Sequence, residues 1–232
     1  MTVPSFTLHE SVKDPTAELW FAEPPGFMEL PIDALLPSPE SPAADTLRTA
    51  LAPFLDAAPN DVLRQQFIAQ FAEGQVFLGA LREVGTVHCS IGLHRDDLDE
   101  TGSGNGNGQS LLSLFTISWR DTAVAPRALT AARAVTSAAG HSYIEYLELP
   151  CGPATFSETV RTASADSGFP QLPLLQVHAH LPHPDCKRLV VLTLSTTAVA
   201  RREQYRAILQ QIAEMVSFED PFAPVEGKGH RP

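Results

Sequence analysis

The chain has little from which to build a covalent scaffold. Its three cysteines, Cys89, Cys151 and Cys186, are an odd count with no C-x-x-C spacing. A disulfide framework is therefore not expected, and reduced thiols in a cytoplasm are the default. Basic residues are also scarce. Sixteen lysines and arginines face 27 aspartates and glutamates, for a net charge of −11. A chain so acidic repels nucleic acid and anionic lipid unless it carries a local basic patch. The nearest candidate, Arg201 and Arg202 with Arg206, reads as the solvated face of a helix, so no nucleic-acid partner is expected. The opening MTVPSFTLHESVKDP lacks the basic start and apolar centre of a secretory signal. No apolar run approaches the roughly 20 residues needed to cross a bilayer, so no membrane insertion is expected. Among the bases arginine greatly outnumbers lysine, and alanine and proline are abundant; this pattern is that of a high-GC bacterial coding bias and carries no function.

Motifs of catalysis are equally thin. There is no G-x-S-x-G elbow, so hydrolase logic has no starting point. The run Gly102–Gly108 (GSGNGNG) lacks the following Lys-Ser/Thr and leads into a strand, so it reads as a hairpin tip and not a phosphate cradle. Cys151-Gly152-Pro153 reads as a tight turn; a thiol nucleophile there would need a base or helix N-terminus to lower its pKa. Glu145 and Glu148 alternate to opposite strand faces and make no acid/base pair.

What is present is pattern. At 44% apolar residues the chain can build one large core without metals or disulfides. Leu189–Leu194 is an unbroken apolar run of the kind buried on both faces of a sheet. Tyr205, Ile208, Leu209, Ile212, Met215 and Val216 then fall on one helical stripe. Leu19–Phe21, Pro24-Pro25-Gly26-Phe27 reads as strand, turn, strand. Pro37–Pro42 reads as a linker. Helices are expected around Leu47–Leu55, kinked or ended by Pro53, and from Asn60 or Asp61 to Phe71, closed by Gly74. Strands are expected at Val76–Arg82 and Val87–Arg95, joined at Val84–Gly85, then at Leu111–Arg120, Ile144–Leu149, Ala154–Val160, Leu174–Leu181 and Arg188–Ser195, with a helix over Pro126–Ala138. The resulting order, about nine mostly hairpin-connected strands with helices early, midway and last, implies an α+β domain over 18–222, an antiparallel sheet covered by helices. Residues 1–17 and 223–232 read as flexible tails and 96–110 as a flexible glycine-rich loop.

The Trp20-Phe21 … Pro24-Pro25-Gly26-Phe27 opening and the closing strand, helix and Val216-Ser217-Phe218 resemble the corresponding ends of the PsbP/Mog-like superfamily, with Phe27 standing where those proteins usually carry Trp. The superfamily includes photosystem PsbP, the Ran-binding Mog protein, LpqN-type lipoproteins and the Eag chaperones of type VI secretion effectors. The resemblance implies an α/β/α sandwich and a non-enzymatic protein-binding role, adaptor- or chaperone-like and associated with secretion. Trp20, Phe27 and Trp119 are then candidate exposed aromatics for a protein partner. One alternative is a metal-dependent enzyme. His178 and His180 project from one face of a strand, about 7 Å apart, and His183, Asp185 or Cys186 from the adjoining turn could add a third zinc ligand. Another is a structural assembly subunit that forms homo- or hetero-oligomers through its sheet edges.

Overall fold

The computed structural model describes residues 7–8, 18–96, 110–136, 140–162 and 171–221. Expectations for the tails and for the glycine-rich segment between Asp96 and Ser110 lie outside the described residues, Thr7–Leu8 apart. Nine strands and five α-helices are present among the described residues, in the order β1 (Thr7–Leu8), β2 (Ala22–Glu23), β3 (Phe27–Glu29), α1 (Ile32–Leu35), α2 (Pro42–Asp56), α3 (Asp61–Glu83), β4 (Thr86–Arg95), β5 (Ser110–Asp121), α4 (Arg127–Thr136), β6 (Ser142–Leu149), β7 (Gly152–Thr162), β8 (Pro173–Pro182), β9 (Arg188–Thr196) and α5 (Arg202–Glu214). Seven strands form one antiparallel sheet in the order β3-β4-β5-β9-β8-β7-β6. The class is α+β with helices on both sheet faces.

The last strand sits in the middle because its side chains demand it. Leu189, Val190, Val191, Leu192 and Leu194 of β9 are all buried, and only a strand paired on both edges and covered on both faces can hide that run. β5 and β8 flank it antiparallel, with Ile117 and Ala179 both opposite Leu192. On one face, the odd residues Leu175, Val177, Ala179 and Leu181 of β8 and the even residues Val190, Leu192 and Leu194 of β9 meet Phe115 and Ile117 of β5. α5 closes this face with Tyr205, Leu209, Ile212, Ala213 and Val216. Each large apolar side chain so buried stabilises the fold by up to about 1.5–3 kcal/mol. Of the stripe expected for this helix, Met215 alone is exposed, because the helix has ended and Met215 is its C-cap. The arginines expected on a solvated face have work to do beneath it. Arg202 and Arg206 reach Glu158 of β7 at 3.3 and 3.1 Å, and that carboxylate is 3% exposed.

The opposite face is covered only in part. α4 packs on β7 and β8, burying Ala131 and Val135. At the other side Ile32 of α1 and Leu78 of α3 close over Cys89 of β4. Between them the sheet stays open.

The sequence reading erred at α3. Val76–Arg82 is not a strand: the helix capped by the Asn60 side chain, which accepts from the Leu63 amide, runs through Gly74 to Glu83. The apolar trio Val76-Phe77-Leu78 suits either period locally. Burial of Leu78 against Ile32 and Cys89, and a 2.8 Å bond from Gln75 Nε2 to the Leu35 carbonyl, settle it as helix. Val84–Gly85 then turns the helix into β4. Pro53 likewise fails to end α2, which continues to Asp56.

Two glycines predict opposite outcomes. A Cβ on Gly74 would meet nothing within 4 Å, so Gly74→Ala should raise stability by about 0.5–1 kcal/mol in urea unfolding. Gly152 has φ +119°, and a Cβ there would collide with the Arg127 guanidinium, which donates to the Cys151 and Pro182 carbonyls. Gly152→Ala should cost about 2–3 kcal/mol in the same assay.

Candidate functional site

The open part of the sheet is the floor of a cleft of about 620 Å³. Three central strands supply the floor: Thr116 and Ser118 from β5, Thr193 and Ser195 from β9, and Gln176, His178 and His180 from β8. Strand alternation explains the chemistry. The partners of these residues one position along face α5 and are apolar, so the polar set falls on the face left open. Phe77, Leu81 and Val84 at the end of α3 form one wall, Ala134 of α4 another, and Arg120, Arg161 and His141 complete the lining. A smaller cavity of about 260 Å³ adjoins it, sharing Arg120, Ala134 and His180.

His178 and His180 share a face as expected, with ring centroids 5.9 Å apart. The third imidazole beside them is His141, at 5.6 and 6.0 Å. His183, expected to join them, lies instead at the β8–β9 turn on the α5 side. There it packs edge-on to Trp119 and Phe218 and faces Asp185 at 3.0 Å. No spacing rule points to His141 from the sequence. It is delivered by the edge hairpin, in which Ser142 is opposite Glu158 while Ser157 is opposite His178; only that double register places residue 141 over residue 178.

Hydroxyls hold the rings. His178 Nδ1 is 3.0 Å from Thr193 Oγ1 and its Nε2 3.5 Å from Thr159 Oγ1. Ser157 Oγ lies 2.9 Å from His141 Nδ1 and 3.4 Å from His180 Nε2. Ser157 is 1% exposed and contributes nothing to the cleft lining, so the contact holds rings in place and exposes no nucleophile. Among the described residues no three His, Cys, Asp or Glu side chains are placed to hold one metal ion. Burial pushes the His178 imidazole down to about 4, helped by its neighbour His141. Burial, with His178 and His141 beside it, pushes His180 down to about 3. At neutral pH both are uncharged donors and acceptors. His180 Nδ1, buried, has no hydrogen-bond partner among the described residues.

The other candidates from the sequence fall elsewhere. Trp20 is 6% exposed, tied to Ser217 by backbone hydrogen bonds in both directions. Phe27 is half-buried against His94 and Phe115, and Trp119 against His183 and Phe218, with Arg188 4.8 Å over its ring. These aromatics belong to the core and its margin, not to an open surface. Cys151 is half-buried, and burial pushes its thiol up, away from the thiolate a nucleophile needs. Among the exposed large apolar side chains, five lie along α3: Val62, Leu63, Ile68, Val76 and Phe77 are each at least 43% exposed. The chain matches no known family model, no curated protein and no solved structure.

The histidines give the fold a pH signature. Unfolded, both titrate near 6.5; folded, they stay neutral until about pH 4 and 3. Below 6.5 the unfolded chain therefore binds more protons, and stability falls as pH drops from 6.5 towards 4, each histidine contributing at most about 1.4 kcal/mol per pH unit. Thermal melts across this window should show the fall, and a His178→Gln/His180→Gln variant should show a flatter one. An unchanged slope in the variant would refute the assignment.

Proposed function

We propose that this chain is a non-enzymatic protein-binding module, adaptor- or chaperone-like, that engages its partner through α3. One observation carries the reading: α3 is 23 residues long and buries only Leu78, while it exposes Val62, Leu63, Ile68, Val76 and Phe77. A soluble helix ordinarily hides its apolar residues against its own core, and contiguous exposed apolar surface marks interaction sites. Phe54 of α2, 65% exposed, continues the surface by stacking on Phe67, which stacks in turn on Phe71. The partner chemistry that fits is an amphipathic helix laid along α3, anchored by side chains at i, i+3, i+4 and i+7 spacing.

The PsbP/Mog-like resemblance supports the same reading, since its members mostly bind proteins, and we carry that sandwich forward as the proposed fold family. A cytoplasmic setting, with the secretion-associated clients of the Eag type as one version, remains part of this proposal. The three cysteines are free, as such a setting requires, and no helix among the described residues is long and apolar enough to cross a membrane. The assembly-subunit reading differs only in the partner being a second copy of the chain.

The test uses Val76→Asp/Phe77→Asp, at exposed sites where each substitution should change stability by no more than about 0.5 kcal/mol. Affinity capture from native lysate with mass spectrometry should return a defined partner with the wild type. The variant should lose at least about tenfold of it at an unchanged melting temperature. Sedimentation of the purified chain separates self-association: a concentration-dependent dimer abolished by the same variant makes the partner a second copy. Recovery of the same proteins by both forms would sink the reading.

A further inference from the structure

The cleft carries a second inference, independent of the α3 surface. In a chain of net charge −11, the 620 Å³ lining includes, among the described residues, no aspartate or glutamate but two arginines, three histidines and a floor of hydroxyls. Arg120 and Arg161 are exposed, and among the described residues neither is paired with a carboxylate. Unscreened positive charge over a donor-rich floor is the arrangement that recognises an acidic group. The lining is not polar throughout: Leu81 and Val84 of α3, Leu112 and Leu114 of β5 and Ile91 of β4 make one side apolar. Its volume falls within the range of about 300–1,000 Å³ typical of small-ligand sites.

We propose that the cleft binds a single-chain amphiphile with one acidic head, a carboxylate or a phosphate monoester, drawn in by the positive field of Arg120 and Arg161 at opposite ends of the floor, with its alkyl chain along Leu81, Val84, Leu112 and Leu114. The Thr and Ser hydroxyls of the floor supply neutral donors around the head. Arg120 also borders the smaller cavity, where the buried Thr122 and Thr130 hydroxyls lack partners among the described residues, so the head can extend towards further donors. Asp121 on that cavity's lining favours the singly charged carboxylate over the phosphate monoester, which is close to doubly charged at neutral pH.

Calorimetric titration of the full chain with decanoate, decyl phosphate, 1-decanol and inorganic phosphate tests this. Decanoate or decyl phosphate should bind one-to-one below its micellar range and raise the melting temperature. Decanol and phosphate, each carrying half of the recognition, should bind at least about tenfold more weakly. Arg120→Ala and Arg161→Ala, both at exposed positions, should each weaken the acidic ligand about tenfold, while Arg64→Ala at the start of α3 should leave it unchanged. The proposal is overturned by no saturable binding, by equal binding of decanol, or by affinity indifferent to both arginines. It is also overturned by binding seen only on phosphatidylglycerol vesicles, which would indicate a membrane surface. A melting shift by zinc alone, reversed by chelator, would likewise reassign the histidines to a metal.

Discussion

Everything else in this structure depends on hiding β9. A strand with Leu189, Val190, Val191, Leu192 and Leu194 all buried has only Thr193 and Ser195 to offer the open cleft. It must lie between two strands, with its fully apolar face beneath α5. The chain meets that demand by threading its last strand between β5 and β8, joining two antiparallel halves that are otherwise far apart in sequence. α5 then seals one face with three large side chains, Tyr205, Leu209 and Ile212, and Val216 just beyond its C-cap. Glu158, Arg202 and Arg206 finish its margin, and the two guanidinium partners make burial of that carboxylate tolerable.

The second face is where the protein departs from a sealed sandwich. α4 covers one side and α1 with α3 the other, and the floor between them is hydroxyl, amide and imidazole. Such a floor can stay open at little cost because its groups satisfy one another or water. The histidines are neutral for the same reason that they are useful: burial removes their charge and leaves directed donors and acceptors. Net positive charge in the cleft at neutral pH therefore comes from the two arginines, which an acidic ligand can reach. Phe77 belongs both to the exposed apolar residues of α3 and to the wall of the cleft, so the proposed protein surface and the proposed ligand site adjoin.

Much of the fold was legible. The period-two segments became β4 through β9 within a residue or two, because alternating burial at a sheet face leaves its mark on every second residue. α5 and the Asn60 cap of α3 were legible for the corresponding helical reasons. What misled was short and apolar. Val76-Phe77-Leu78 obeys no period over three residues, and the contact with α1 that makes it helix lies 40 residues upstream. Trp20 and Trp119 carry no local sign of depth. His183 shares its strand's neighbourhood in sequence but passes the turn and falls on the other face.

The sequence by itself determined the α+β class, the strand order's hairpins, the central place of β9 and the shared face of His178 and His180. All of these follow from periodicity along one segment. Only the tertiary structure decided that His141 completes the cluster, that the cleft lining carries no carboxylate among the described residues, and that α3 exposes Val62, Leu63, Ile68, Val76 and Phe77. Each of those is a relation between segments brought together by register and packing. No single stretch of chain contains it.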